Sequence, residues 1–196
     1  LYNNCFHLIC ISRNYPSYQQ KISHENDNVT LILCDFTSDK MLSELEKMDD
    51  IISPEKEILF INNAGVIRPI GSFGTISNLM IKQSIDVNFT APIILLNKII
   101  ECCINFSQNA NIINISSGAI DKDIHNWELY CATKRSTFIF FETISKIYDN
   151  IKITHIDPGI MKTKMQDILK TKGFCFDDSL FMCPNHIAKY IITTYT

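Results

Sequence analysis

Five short apolar runs punctuate the chain: residues 5–12 (CFHLICIS), 29–34 (VTLILC), 58–61 (ILFI), 111–115 (NIINI) and 151–156 (IKITHI). Each has the length of a strand, and each is continuously apolar rather than alternating. Continuous runs suit parallel strands covered on both faces. Helix-length segments separate them. Residues 38–48 place Met41, Leu42, Leu45 and Met48 on one stripe. Residues 79–104 form a longer amphipathic pattern, which Pro92 is expected to kink or break. Residues 128–148 predict a third helix. Residues 184–190 predict a last one, with Pro184 suited to a first helical turn. Alternating strands and helices predict an α/β domain, a doubly wound parallel sheet with helices on both faces.

The polar residues fall where that architecture binds ligands, beyond the carboxyl ends of the strands. Arg13 follows the first run and Asp35 the second. Asn62-Asn63-Ala64-Gly65 follows the third, Ser116-Ser117-Gly118 the fourth, and Asp157-Pro158-Gly159 the fifth. Any one of these is ordinary turn chemistry. Five at one edge point to a site.

Tyr130 and Lys134 lie one helical turn apart and so share a face. An ammonium near a phenol is expected to lower the phenol's pKa. Ser117, thirteen residues before Tyr130, could polarise a carbonyl. The three make a set for moving a proton to or from a carbonyl or alcohol oxygen. Tyr and Lys at this spacing are otherwise common on helix surfaces.

Composition narrows the partners. Net charge is −3 over 196 residues with no basic run, which favours neither nucleic acid nor an anionic membrane. No apolar run reaches transmembrane length, the longest being residues 91–96. No signal peptide is recognisable. The eight cysteines show no C-x-x-C pair and read as free thiols of a reducing, cytoplasmic setting. The five histidines form no metal-ligand cluster, so no metal is expected.

The order N-N-A-G, D-V-N-F-T-A-P, N-I-S-S, Y-C-A-T-K, D-P-G-I-M-K-T resembles the short-chain dehydrogenase/reductase family from about Cys5 to the C-terminus. Residues 125–166, with N-W-E-L-Y-C-A-T-K and K-T-K-M-Q, are similar to sepiapterin reductases and to bacterial reductases of benzil-type diketones. The resemblance implies a Rossmann-type fold in one domain, residues 1–196, and carbonyl reduction with a nicotinamide cofactor. It implies catalytic roles for four residues. Tyr130 is the general acid, Lys134 tunes it and holds the nicotinamide ribose, and Ser117 binds the substrate oxygen. Asn88 sits in the long helix and holds a water that links Lys134 to solvent. Asn63, Ala64 and Gly65 would pack on the adenosine half, Asp35 would touch the adenine, and Thr163 the carboxamide. Pro158 and Gly159 would let the backbone approach the nicotinamide. Trp127 would wall the substrate pocket or simply pack the core. Met165, with Ile160 and Met161, would form an apolar lid or plain packing. Homodimers or homotetramers are the expected assembly.

Arg13 bears on the cofactor. In this fold a carboxylate after the second strand holds the ribose 2′-hydroxyl of NAD, whereas an Arg accommodates a 2′-phosphate. The sequence reads Ser12-Arg13-Asn14 with no acid, which favours NADP(H). The alternative is a surface Arg in a turn.

The pattern departs from the family at both ends. No glycine precedes Gly65 and the chain opens on Leu1, so the first strand and its glycine-rich phosphate turn are expected to be missing. The last strand of the family is likewise expected to be missing. These features read as a fragment of a longer reductase, with an inactive remnant or binding module of that fold as the competing reading. Residues 1–196 alone are expected to hold NADP(H) poorly.

Overall fold

The computed structural model describes residues 7–52 and 56–195. Cys5 and Phe6, the start of the first expected strand, lie outside them. The chain divides into two compact units, Leu1–Ser53 and Pro54–Thr196.

The first unit contains β1 (Leu8–Ser12), α1 (Ser17–Glu25), β2 (Val29–Leu33) and α2 (Met41–Leu45), which tightens into a 3₁₀ turn at Glu46–Met48. β1 and β2 pair in parallel from Leu8↔Val29 to Ser12↔Leu33. Val29, Ile32, Cys34, Met41, Leu45 and Met48 are buried. The α2 stripe therefore buries Met41, Leu45 and Met48 as expected, while Leu42 remains 58% exposed. α1 was not foreseen: it buries no side chain, so its sequence carries no apolar period to read. The Tyr15 hydroxyl lies 2.5 Å from the Cys10 carbonyl and 2.6 Å from that of Ile32, so it can donate to either strand.

The second unit begins with β3 (Ile58–Asn62), then α3 (Asn78–Ile85), a π-helical turn (Asp86–Thr90) and α4 (Ala91–Phe106). β4 (Ala110–Ile115), a 3₁₀ turn (Gly118–Asp121), α5 (Glu128–Ile147) and β5 (Ile151–Ile156) follow. β3, β4 and β5 form a parallel sheet in that order. A short strand β6 (Ile160–Met161), α6 (Lys164–Thr171), β7 (Phe181–Met182) and α7 (Pro184–Tyr195) complete it. β6 and β7 pair in parallel, so Ile160 and Met161 sit in a small ladder rather than a free lid. Phe141, Leu96, Ile99, Ile112 and Cys103 lie at the centre of one buried cluster. Among the described residues β1 pairs only with β2, and β3 only with β4.

Pro92 neither ends the long helix nor stands in its way. Having no N–H, it cannot bond the carbonyl four residues back, that of Asn88. The π-helical turn spans this position, and the Thr137 hydroxyl of α5 donates to the Asn88 carbonyl at 2.7 Å instead. The helix runs unbroken from Asn78 to Phe106, starts on the Ser77 hydroxyl and stops at Ser107, whose φ of 53° is left-handed.

One expectation needs correction. The longest apolar run is short, but the continuous helix Asn78–Phe106 is long and apolar enough to cross a membrane by length and composition, its most apolar stretch having a mean hydropathy of 1.5. Its polar breaks hide this in a count of uninterrupted residues. Half of its most apolar window is buried within the protein, where Leu95, Leu96, Ile99, Ile100 and Cys103 pack into the core.

Candidate active site

α5 positions the candidate residues because its buried stripe is polar at one end and apolar at the other. Tyr130, Thr133, Lys134 and Thr137 are buried near its start, and Phe141 beyond them. The β4 carboxyl end delivers Ser117 to this stripe. The Ser117 side chain caps the following turn, accepting from the Ala119 N–H at 3.2 Å, and its hydroxyl lies near enough to the Tyr130 phenol to influence its pKa. Ser116 points elsewhere, its hydroxyl buried without a partner. Arg135 clamps the same turn: its Nε donates to the Ile120 carbonyl at 2.7 Å and its Nη2 approaches Asp123 at 3.3 Å.

Lys134 is only 8% exposed, and its Nζ donates to the Ile115 carbonyl at 2.7 Å. Burial lowers its pKa to about 8, opposed by the nearby Asp157 carboxylate. The ammonium is thus committed to the end of β4, and the expected lowering of the Tyr130 pKa by Lys134 is not found. Burial instead pushes the Tyr130 phenol above its ordinary value; the nearby Ser117 hydroxyl lowers it, and Cys131 and Asp157 raise it. In this state Tyr130 is a proton donor, not a phenolate.

The buried Lys134 gives a pH signature. Between about pH 8 and the ordinary 10.5, the unfolded chain keeps a proton that the folded chain has shed. Stability from this group therefore rises with pH across that window, and below it the burial penalty is fully present. Lys134→Met should abolish that rise, so urea unfolding of the variant and the parent from pH 7 to 10.5 should diverge with a slope of the parent's alone. Parallel curves would contradict the burial of a titrating Lys134.

Asn88 sits in the π-helical turn, where insertion of a wider turn re-aims a side chain. It is 2% exposed and clamps one residue from both sides: its Oδ1 accepts from the Val66 N–H and its Nδ2 donates to the Val66 carbonyl, each at 2.8 Å. Nδ2 also donates to Thr133 Oγ1 at 3.2 Å. The loop after Asn63, Ala64 and Gly65 is thereby tied to α5. A Cβ on Gly65 would meet Asn88 Oδ1 at 3.7 Å, an ordinary contact.

Asp157 Oδ1 accepts from the Gly159 N–H at 3.0 Å, and Gly159 has a φ of +68°, a region that favours glycine. Pro158 is buried between them. A Cβ on Gly118 would come within 3.2 Å of Asp157 Oδ2, so the Ser117 turn and the Pro158 turn approach closely. Thr163 is exposed and starts α6 without a side-chain cap bond.

Trp127 is buried with Ile67, Ala119, Tyr130, Cys131 and Leu169, and Met165 packs on the same cluster. Its ring lies edge-on to Tyr130 at 6.2 Å and 5.3 Å from Phe174. Its Nε1 has no partner. Both Trp127 and Met165 therefore pack the side of the cluster that contains the Tyr130 ring.

In the first unit, Arg13 is exposed beyond β1. Asp35, beyond β2, accepts from the Thr37 N–H and hydroxyl at 2.9 Å each. The Thr37 N–H is the main cause that holds the Asp35 carboxyl below its usual range, with Arg13 adding to it. Among the described residues no group of three or more His, Cys, Asp or Glu could hold a metal ion.

Thr133, Thr137, Arg135 and Asp157 were not singled out as site residues. Asp157 was legible as part of the turn after the fifth apolar run, and Thr137 through the Asn88 carbonyl that Pro92 leaves free.

The sequence profile of the short chain dehydrogenases matches residues 2–172. The chain belongs to this family. Among curated relatives, the benzil reductase ((S)-benzoin forming) of Bacillus subtilis is 24% identical over 85% of this chain and 68% of its own length. That of Bacillus cereus is 29% identical over 72% of this chain and 64% of its own length. Sepiapterin reductase of Xenopus laevis is 24% identical over 59% of this chain and 45% of its own. The chain thus spans from about half to two thirds of the length of these relatives. Among solved structures, a 4-hydroxyisoleucine dehydrogenase mutant complexed with NADH and succinate superposes with a TM-score of 0.79, at 21% identity over 97% of this chain and 82% of its own. Serine dehydrogenase complexed with NADP+ gives 0.77, at 19% identity over 98% of this chain and 80% of its own. These show the Rossmann-type fold. Nicotinamide nucleotides of both kinds occur among the fold's neighbours, and the family makes the chain an oxidoreductase acting on small molecules.

Proposed function

We propose that the protein is an NADPH-dependent reductase that converts a ketone or vicinal dicarbonyl, of sepiapterin or benzil type, to an alcohol. The observation that carries this reading is the Ser117 hydroxyl acting on the Tyr130 phenol, with Lys134 buried one turn further along α5. A carbonyl oxygen seated against both hydroxyls would be polarised by Ser117 and take its proton from Tyr130. The nicotinamide, when bound, supplies the hydride. Electrophile, acid and hydride then balance as C=O plus H⁻ plus H⁺ giving the alcohol. Lys134 holds the ribose and the Ile115 carbonyl. Pro158, Gly159 and Thr163 serve the nicotinamide end; Asn63, Ala64 and Gly65 serve the adenosine end. Trp127 and Met165 give the substrate an apolar wall suited to a flat dicarbonyl.

The preference for NADPH rests on Arg13, an exposed guanidinium at the β1 carboxyl end with no acid beside it in sequence. Arg13→Asp removes a phosphate partner and adds a repelling charge. It should lower kcat/KM for NADPH at least tenfold relative to NADH. An unchanged ratio would make Arg13 a surface residue and remove the basis for NADP(H).

Exposed apolar side chains on α4 and α5, Ile104, Ile139 and Ile147, support assembly into a homodimer or homotetramer, and the free thiols support a cytoplasmic setting. The function is tested by steady-state reduction of a diketone panel, benzil and sepiapterin included. NADPH binding without turnover of any dicarbonyl would favour the binding-module reading.

A further inference from the structure

One buried polar chain lies beneath the catalytic residues and takes no part in the chemistry above. Asn62, Asn114 and His155 occupy matched register positions on β3, β4 and β5. Asn62 Nδ2 donates to Asn114 Oδ1 at 2.8 Å. Asn114 Nδ2 meets His155 Nδ1 at 3.0 Å. His155 Nε2 lies 3.2 Å from Glu142 Oε1 on α5, close but poorly aligned for a directed hydrogen bond. Asn62 and Asn114 are fully buried, the His155 side chain is 11% exposed, and Glu142 opens to solvent at 37%. The Phe138 ring covers the imidazole at 4.1 Å.

The ladder has a direction. With Asn114 Oδ1 engaged by Asn62, its Nδ2 faces Nδ1 of His155, which must then carry no proton. A proton on Nδ1 would set donor against donor. Relief requires the Asn114 amide to turn over, presenting Oδ1 to His155 and Nδ2 to Asn62, and Asn62 must turn in response. Asn62 ends β3, and Asn114 and His155 are next to last in β4 and β5, the strands that deliver Asn63–Gly65, Ser117 and Pro158–Gly159, each within four residues of the ladder.

We propose that His155 is a positioning residue: its protonation state sets the amide orientation of Asn114 and Asn62 and so the alignment of the three strand ends that carry the site. The part concerning turnover rests on the reductase reading; the ladder itself does not. The charged groups that act on His155 are Glu142 and Lys134, both on α5, and Lys146 approaches Glu142 at 3.9 Å. Burial is the largest influence and holds the imidazole neutral below its ordinary pKa; Glu142 opposes this and Lys134 assists it. Because the folded state resists the proton, stability falls as pH drops from the ordinary histidine value through the lowered one.

The test is an NMR titration of the purified protein from pH 8 to 4.5, following the His155 imidazole nitrogens and the side-chain amides of Asn62 and Asn114. The three should move with one midpoint. Glu142→Gln, at the solvent end of the ladder, should fold normally and shift that common midpoint to lower pH, because it removes the carboxylate that favours the imidazolium. Amides that ignore the His155 midpoint, or a midpoint unmoved by Glu142→Gln, would overturn the proposal. In the reductase assay the acid limb of kcat/KM should follow the same midpoint in both proteins. If the protein reduces no dicarbonyl while the amides still track His155, the ladder stands and the reductase reading fails.

Discussion

Tyr130→Phe is expected to lower kcat for carbonyl reduction by at least about a hundredfold, and by up to about ten-thousandfold, the range of general acid catalysis by one positioned side chain. The substitution removes one oxygen and retains the ring that packs against Trp127. Nothing else in the cluster around Ile67, Cys131 and Leu169 should shift. NADPH affinity should change little, since in the structure the side-chain hydroxyl acting on the phenol is that of Ser117. A loss of cofactor binding equal to the loss of kcat would assign Tyr130 to the cofactor site instead of the proton transfer. Turnover equal to that of the parent would remove it from the mechanism.

Asn88→Ala should destabilise the protein more than any single surface change. The amide satisfies both backbone groups of Val66 and reaches Thr133 and Ser84. Its removal strands a half-buried N–H and a half-buried C=O, each worth up to about 1–3 kcal/mol when left unpaired. A total loss of about 2–5 kcal/mol is expected, read as a lowered urea midpoint. Asn88→Asp should be intermediate, because Oδ1 still accepts from the Val66 N–H while the carbonyl loses its donor. If Asn88→Ala unfolds at the same urea concentration as the parent, the clamp is not a structural element, and Asn88 is left to the water-holding role that the family resemblance implies.

The parallel core was legible because its strands are continuous apolar runs, and Ile151–Ile156 falls where the periodicity places it. So was the placement of Asn63, Ser117 and Pro158 just beyond strand ends. α5 was legible for the same reason, with Tyr130 and Lys134 on one buried stripe. What the sequence hid follows from how these residues are satisfied. The Lys134 ammonium faces a backbone carbonyl, and no side-chain pattern announces a backbone partner. α1 buries nothing, so its period is silent, and β6 and β7 are two residues each, too short for any period. The Asn62–Asn114–His155 ladder joins residues separated by 52 and 41 positions, and only the strand register brings them together. The carboxylate of Asp157 was visible as part of a turn, but its effect on both Tyr130 and Lys134 depends on the close approach of Gly118.

The central claim is hydride transfer from NADPH to a carbonyl with Tyr130 as the acid. Its most direct measurement is a single-turnover reaction of the protein produced from its complete coding sequence, with 4-deuterated NADPH and benzil, followed by mass analysis of the product. The account predicts one deuterium on the carbinol carbon of benzoin in the parent, and product formation slowed at least about a hundredfold in Tyr130→Phe. Unlabelled product, no product from benzil or sepiapterin, or equal rates in parent and variant would contradict it.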